Sequence, residues 1–274
     1  MFQQVPRKRS TAGQVMSLSV LIYHATVRAL RKNHRNAVVG LVLNMMQSIV
    51  MVVAFYIMFE LLGLRGTAVR GDFMVYIMTG IFLFLTHIKA VGDVAGSEGP
   101  ASPMMQHAPM NTTVSIAAAA LSALYIQVLS AAVLLFAAHV AIKPLEIDDP
   151  IGVLGAFLLA WLSGVAVGIL LLSLRPWFPE LVRVITTVYQ RVNMIASGKF
   201  FLANSLPAHI LPFFSWNPLF HTIDQARGSA FINYSPHVTS ITYPIWFSLV
   251  CLALGMMAEF YTRRQASISW EAKR

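Results

Sequence analysis

Charge is scarce in this chain. Charged residues make up 11% of its 274 positions, against about 25% in a typical soluble domain. That shortage excludes a soluble globule and a disordered chain alike. Cysteine is nearly absent too. The one thiol, Cys251, cannot form an intramolecular disulfide or a cysteine-based metal site, and it reads as a small buried apolar residue. No HExxH occurs, and no pair of carboxylates or histidines has metal-ligand spacing; His87, His139, Glu60 and Glu259 fall near the ends of apolar stretches. There is no phosphate-binding loop either, because Gly198-Lys199 is followed by Phe200 and lacks the glycine upstream. No catalytic residue and no metal ligand is therefore nominated, and the chain is expected to bind no cofactor itself. No internal repeat is visible, and no apolar core of a cleavable leader follows the first basic cluster.

Long apolar runs fill the space that charge leaves. The clearest, "AVVGLVLNMMQSIVMVVAFYIMFELL" from Ala37 to Leu62, carries no charge before Glu60. About 20 apolar residues cover a hydrocarbon core about 30 Å thick. Within lipid the backbone amides must pair inside the segment, so such runs are helical. Six of them are expected: about 37–62, 72–91, 114–141, 151–174, 181–203 and 240–261. The fold class is thus an all-α polytopic membrane protein, one transmembrane unit over residues 1–274. A cytoplasmic segment 1–36 precedes a six-span bundle at 37–261 and a cytoplasmic tail at 262–274. In the first segment Val15, Leu18, Ile22, Ala25 and Ala29 recur at threes and fours. They make an amphipathic helix that either lies in the interface or packs on a soluble partner.

Basic residues set the orientation. Arg7, Lys8, Arg9, Arg28, Arg31, Lys32 and Arg35 precede the first span, and Arg263, Arg264, Lys273 and Arg274 follow the last. Basic flanks mark the cytoplasmic side, so both termini are expected inside. Lys89, Arg175 and Arg183 agree, while Arg65, Arg70, Lys143 and Arg227 fall outside. No basic face stands apart from these flanks, so nucleic acid is not an expected partner. In span four Gly164 and Gly168 form a small-xxx-small pair, with Gly152 and Gly155 nearer its start. Either pair can serve packing within the chain or a subunit seam.

Span five is unusual. Arg183, Thr186, Gln190, Asn193 and Ser197 recur at intervals of 3, 4, 3 and 4, a polar row along one helix face. Lipid rejects such a row, so it faces water, a second subunit or hydrogen-bond partners in its own chain. Arg191 lies off the row and, if buried, needs a partner or water. Lys199 is placed to snorkel toward the outer end. After span five, residues 205–239 carry Pro207, Pro212 and Pro218 among aromatic residues. A short helix, His221 to Phe231, is expected there, lying in the outer interface or dipping back into the bundle. Trp216, Phe220, Phe231 and Tyr234 either form an aromatic belt or stack on sugar rings.

The layout resembles the membrane subunit of type-2 ABC exporters. "WNPLFHTIDQAR" (Trp216 to Arg227) resembles the Asn-Pro-Leu, His and acid-to-Arg pattern of the polysaccharide-export branch. The chain's small size is similar to that of the capsular polysaccharide permeases. "MMQHAPMNTTVSIAAA" (Met104 to Ala119) is similar to their inner loop, with Asn111 where that loop has an acidic residue. The resemblance implies a permease, not an enzyme, moving lipid-linked polysaccharide outward between two copies of the chain. Two ABC ATPase subunits would bind the ATP and Mg. Periplasmic and outer-membrane export proteins and membrane lipids are further partners, and the bacterial inner membrane is the location. It implies contact with the ATPase by Arg28, Arg31, Arg35, Glu98, Met105 and Gln106. It also implies a periplasmic gate that includes Trp216, Asn217, Pro218, Phe220, Asp224, Arg227, Phe231 and Tyr234. Span five then supplies the substrate path through Arg183, Thr186, Gln190, Arg191, Asn193 and Ser197. The alternatives are a type-2 ABC permease for a lipid, drug or small glycolipid, and, in another class, a membrane-embedded glycan-processing enzyme.

Overall fold

The computed structural model describes residues 11–32, 37–63, 72–99, 111–141 and 144–271, and no strand occurs among them. Nine helices follow in order among the described residues: α1 (Thr11–Lys32), α2 (Ala37–Leu61), α3 (Phe73–Ala95), α4 (Thr112–Ala141), α5 (Pro150–Leu174), α6 (Pro179–Ala196), α7 (Pro212–Ser215), α8 (Pro218–Ala230) and α9 (Thr242–Glu271). Four segments are long and apolar enough to cross a membrane: Phe73–Ala95, Thr112–Ala141, Pro150–Leu174 and Thr242–Gln265. α2 adds a shorter apolar stretch, Met45–Leu61. The reading of six full apolar spans is thus met by four among the described residues.

α6 departs most from that reading. Its 18 residues reach about 27 Å at 1.5 Å per residue, and its polar row lowers its apolar character. It stops at Ala196 rather than near 203 because Gly198 takes φ +73°, a left-handed turn that ends a helix. Its faces are inverted relative to a soluble helix. Val184, Val188 and Ile195 are exposed while Asn193 and Ser197 are fully buried. An apolar outside and a polar inside are what a helix in lipid requires.

Proline and short polar residues start the helices. Asp149 accepts from the amides of Ile151 and Gly152 at 3.1 and 3.0 Å, and Pro150 occupies the first turn of α5. The acidic turn before span four is therefore a helix cap. Asp72 caps α3 through Met74 N–H at 2.9 Å, and Asn217-Pro218 opens α8. That cap starts α8 three residues before the expected His221. Asn111 caps α4 by accepting from Thr113 N–H at 3.2 Å, and it also accepts from Arg263 of α9 at 3.3 Å.

α3 is the central helix, buried along most of its length. It packs chiefly on α5, which packs in turn on α9 and α8. Gly164 and Gly168 make the first contact close. A Cβ at Gly164 would stand 2.5 Å from the His87 carbonyl oxygen, and one at Gly168 would stand 2.7 Å from Val94 Cβ. This small-residue pair serves packing inside the chain. α1 lies mainly along α4 and also meets α2. Its Arg28 and Arg31 are exposed, whereas Arg35, Met105 and Gln106 lie outside the described residues.

Candidate functional site

Two elements carry the candidate residues: the inward face of α6 and the buried helix α8. Along α6, Arg183 is exposed and pairs with Glu180 one turn earlier. Thr186 turns its hydroxyl back to Val182 O at 2.7 Å. Gln190 donates to Ile88 O of α3 at 3.2 Å, and Asn193 donates to Tyr189 O at 3.0 Å. The row thus points into its own chain from Gln190 onward and leaves it at Arg183. Arg191 is exposed, without a hydrogen-bond or ion-pair partner among the described residues. The contingency of a buried Arg191 does not arise in this chain.

α8 is buried over most of its surface, with Gln225, Gly228 and Ser229 partly exposed. Leu219, Thr222, Ile223, Ala226 and Arg227 have no exposed surface, which fits a segment dipping into the bundle. Each polar residue of the Trp216–Arg227 motif has a defined partner. Asn217 Nδ2 donates to Asn193 Oδ1 at 3.0 Å and Ala196 O at 2.9 Å, while its Oδ1 accepts from Leu219 N–H at 3.0 Å. Asp224 accepts from the Tyr234 hydroxyl at 2.6 Å, the Thr239 hydroxyl at 2.7 Å and Ala203 N–H at 3.2 Å. Arg227 donates to the carbonyls of Gly198, Phe201 and Lys199 at 2.9, 2.7 and 2.7 Å, with its guanidinium 4.0 Å from the Tyr76 ring centre. One helix therefore pins the end of α6, the loop 198–203 and the approach to α9.

His221 completes this clamp, and its partners fix its tautomer. The Ser215 carbonyl can only accept, so Nε2 carries the proton in the 2.8 Å contact. Nδ1 is then free to accept from Ser240 N–H at 3.0 Å. Burial holds His221 below its ordinary value, opposed by the Ser215 bond and by Asp224. Burial also raises the Tyr234 phenol, as does its bond to Asp224.

The aromatic residues divide. Phe220 and Phe231 are core residues, at 1% and 5% exposure, and in this arrangement neither can stack on a sugar. Trp216 is exposed, with Nε1 donating to Phe213 O at 2.7 Å. Tyr234 is half-buried and committed to Asp224. Lys199 does not snorkel. It is buried, with Nζ 3.4 Å from the Phe84 ring centre and 5.1 and 5.4 Å from those of Phe200 and Phe55. No spacing announced this cage, because its three rings come from α2, α3 and the loop after α6.

His87 was also missed as a hub. It is fully buried within α3 rather than at a span end. Nδ1 stands 3.1 Å from Ala160 O and 3.0 Å from Ser163 Oγ, and Nε2 stands 2.8 Å from the Tyr189 hydroxyl. By the same logic Nδ1 donates and Nε2 accepts, joining α3 to α5 and α6. At the C-terminal end of α3, Glu98 N–H donates to Ser115 Oγ at 3.1 Å, and Arg175 donates to Ser97 O at 3.0 Å. These bonds fasten the start of the loop between α3 and α4. No cluster of three potential metal ligands occurs among the described residues.

These features define a class: an all-helical, multi-pass membrane protein with an inverted amphipathic helix held by a buried polar clamp. Comparison with known proteins narrows it. No family model matches the chain. It is similar to two forms of the polysialic acid transport protein KpsM of Escherichia coli. One is 24% identical over 202 residues, covering 72% of this chain and 76% of that protein. The other is 24% identical over 218 residues, covering 76% and 82%. These relatives, transport proteins by name, support the resemblance to capsular polysaccharide export ABC permeases.

Proposed function

We propose that this chain is the membrane permease subunit of an ATP-driven exporter. Its cargo is lipid-linked capsular or other cell-surface polysaccharide, moved across the bacterial inner membrane. Two copies pair around the path, and two ATPase subunits dock on the cytoplasmic side, where both termini lie. α2 and α6 complete six crossings with the four long apolar helices.

One observation carries this reading: the exposure of Arg191 on α6. It sits about 18 Å along the helix from Pro179, with no partner among the described residues. An arginine in a span costs up to about 2.5–3.5 kcal/mol on insertion scales when it faces lipid, the full figure applying at the centre. A water-filled path between two copies relieves that cost and gives the cation a task, attraction of an anionic cargo. The bonds between α6 and α8 make the end of α6 and the outer segment 207–234 one body. Movement of the inner loop is then passed along α6 to the gate.

The test is co-purification of the full chain with an ATPase subunit, followed by ATP turnover with lipid-linked glycans. Turnover that rises with a lipid-linked glycan supports the reading. Failure to retain any ATPase, or turnover indifferent to glycans but stimulated by a drug or simple lipid, sinks it.

A further inference from the structure

A cavity of about 240 Å³ opens between α2, α3, α4 and α6. Its polar lining is Gln47, Lys89, Asp93, Gln127 and Gln190, with Gly92 forming part of the wall. At about 30 Å³ per water it holds on the order of eight waters. Four helices each send at least one polar side chain to it, in a bundle where such groups are few. Gln127 is 5% exposed, and its Oε1 has no hydrogen-bond partner among the described residues. That oxygen is itself closed off from solvent, while Gln127 still forms part of the cavity wall. Gln190, which also lines the cavity, gives its amide N–H to Ile88 O. Gln47 stands exposed at the rim.

The chemistry of this lining selects among ligands. Lys89 and Asp93 pair at 3.5 Å, so the charged groups cancel and neither a bare anion nor a bare cation is favoured. No aromatic side chain among the described residues lines the cavity, so they offer no stacking surface for a planar or greasy drug. What remains is three carboxamides, each a donor and an acceptor, beside an ammonium and a carboxylate. That set matches a neutral ring bearing hydroxyl and amide groups.

We propose that this cavity is a binding subsite for one uncharged sugar residue, held by the carboxamides and the Lys89–Asp93 pair of its lining. The inference rests on the reading of the chain as a glycan exporter and adds a place where a sugar is held within each subunit.

The experiment uses the full chain in nanodiscs of phosphatidylethanolamine and phosphatidylglycerol. N-acetylglucosamine is the neutral probe, with inorganic phosphate and choline as charged controls. Thermal shift and saturation-transfer NMR read binding. N-acetylglucosamine should raise the melting temperature in a dose-dependent way, with affinity about tenfold weaker in Gln127→Leu. Gly92→Ala is a second variant. Its Cβ would stand 2.9 Å from Gln190 Nε2 and push that flexible amide into the cavity, weakening the same response. No response to the sugar, a response kept in both folded variants, or a shift produced by phosphate alone overturns the subsite. Polysaccharide export by wild type in a cell assay separates the two failures. Export with no sugar binding rejects the cavity alone, and loss of glycan export altogether rejects the functional reading.

Discussion

Asn217 of α8 reaches Asn193 of α6, its Nδ2 donating to the Asn193 Oδ1 at 3.0 Å in a fully buried contact. The same side chain caps α8 and holds the Ala196 carbonyl. A buried amide with every bond made is costly to truncate, since its partners are left unpaired. Asn217→Ala removes a helix cap, about 0.5–2 kcal/mol, and orphans the other two contacts. A total loss of about 2–4 kcal/mol is expected. Asn217→Asp keeps the cap but sets a buried carboxylate oxygen against the Asn193 and Ala196 carbonyls, so it should cost at least as much. A double-mutant cycle with Asn193→Ala checks the link, with a coupling of about 0.5–3 kcal/mol expected. A coupling near zero would show that the two residues act separately.

Arg227 organises three carbonyls of the loop 198–201, a task that needs a fork of donors. Lysine offers a single point charge on a flexible stem. Arg227→Lys should therefore destabilise by at least about 2 kcal/mol, because it orphans buried carbonyls. Gly80 supports the same site from α3. A Cβ there would stand 2.9 Å from Arg227 Nη2 and 3.1 Å from Lys199 O. Gly80→Ala should cost about 1–3 kcal/mol by overpacking. Thermal melting of both variants in detergent checks this, and a wild-type melting point for Arg227→Lys would contradict the fork.

Much of this was legible in the sequence. Hydropathy gives the long helices because a bilayer demands length and apolarity together. The 3-4 spacing of polar residues locates the inward face of α6 for the same reason. What could not be read is contact across the fold. The row at Gln190 and Asn193 admitted a conduit, a subunit seam or internal bonds, and only geometry shows Gln190 on Ile88 O. Phe220 and Phe231 looked available for sugar because aromaticity says nothing of burial. Lys199 looked like a snorkelling cation because two of the three rings of its cage, Phe55 and Phe84, are distant in sequence. The end of α6 was missed because a lone glycine does not announce a positive φ.

Two glycines of α5 should respond oppositely to alanine. In a helix, Gly→Ala is favourable by about 1 kcal/mol when nothing interferes. At Gly155 no atom of the described residues lies within 4 Å of the new Cβ, so Gly155→Ala should hold or raise the melting point. At Gly164 the new Cβ would meet the His87 carbonyl oxygen at 2.5 Å and Ala90 Cβ at 3.0 Å. Backbone there cannot yield cheaply, and a loss of about 1–3 kcal/mol is expected. Parallel melting curves decide it. Loss of self-association in folded Gly155→Ala would assign Gly155 to a subunit seam.

His221 predicts a pH effect with a defined sign. Its Nδ1 accepts from Ser240 N–H, so a proton added there would set donor against donor. Burial lowers its folded value below the ordinary 6.5. As pH falls through about 6.5 the unfolded chain takes up a proton and the folded chain does not. The stabilisation is therefore complete above that pH and is lost progressively as acidity increases toward the folded value. Melting of wild type and His221→Gln at pH 7.5 and 5.5 checks this. Wild type should lose more stability on acidification than the variant, and equal losses would remove His221 as the cause.

Arg191 separates path from scaffold. It touches no partner among the described residues, so its removal deprives the folded chain of no described contact. Arg191→Ala should leave permease abundance near wild type and lower surface polysaccharide severalfold. Arg191→Lys, which keeps the charge, should restore part of the export if attraction to an anionic cargo is the role. Quantitative immunoblotting of the permease beside a surface-glycan assay measures both. Equal loss of protein and product would make Arg191 structural, and unchanged export would take this face of α6 off the path.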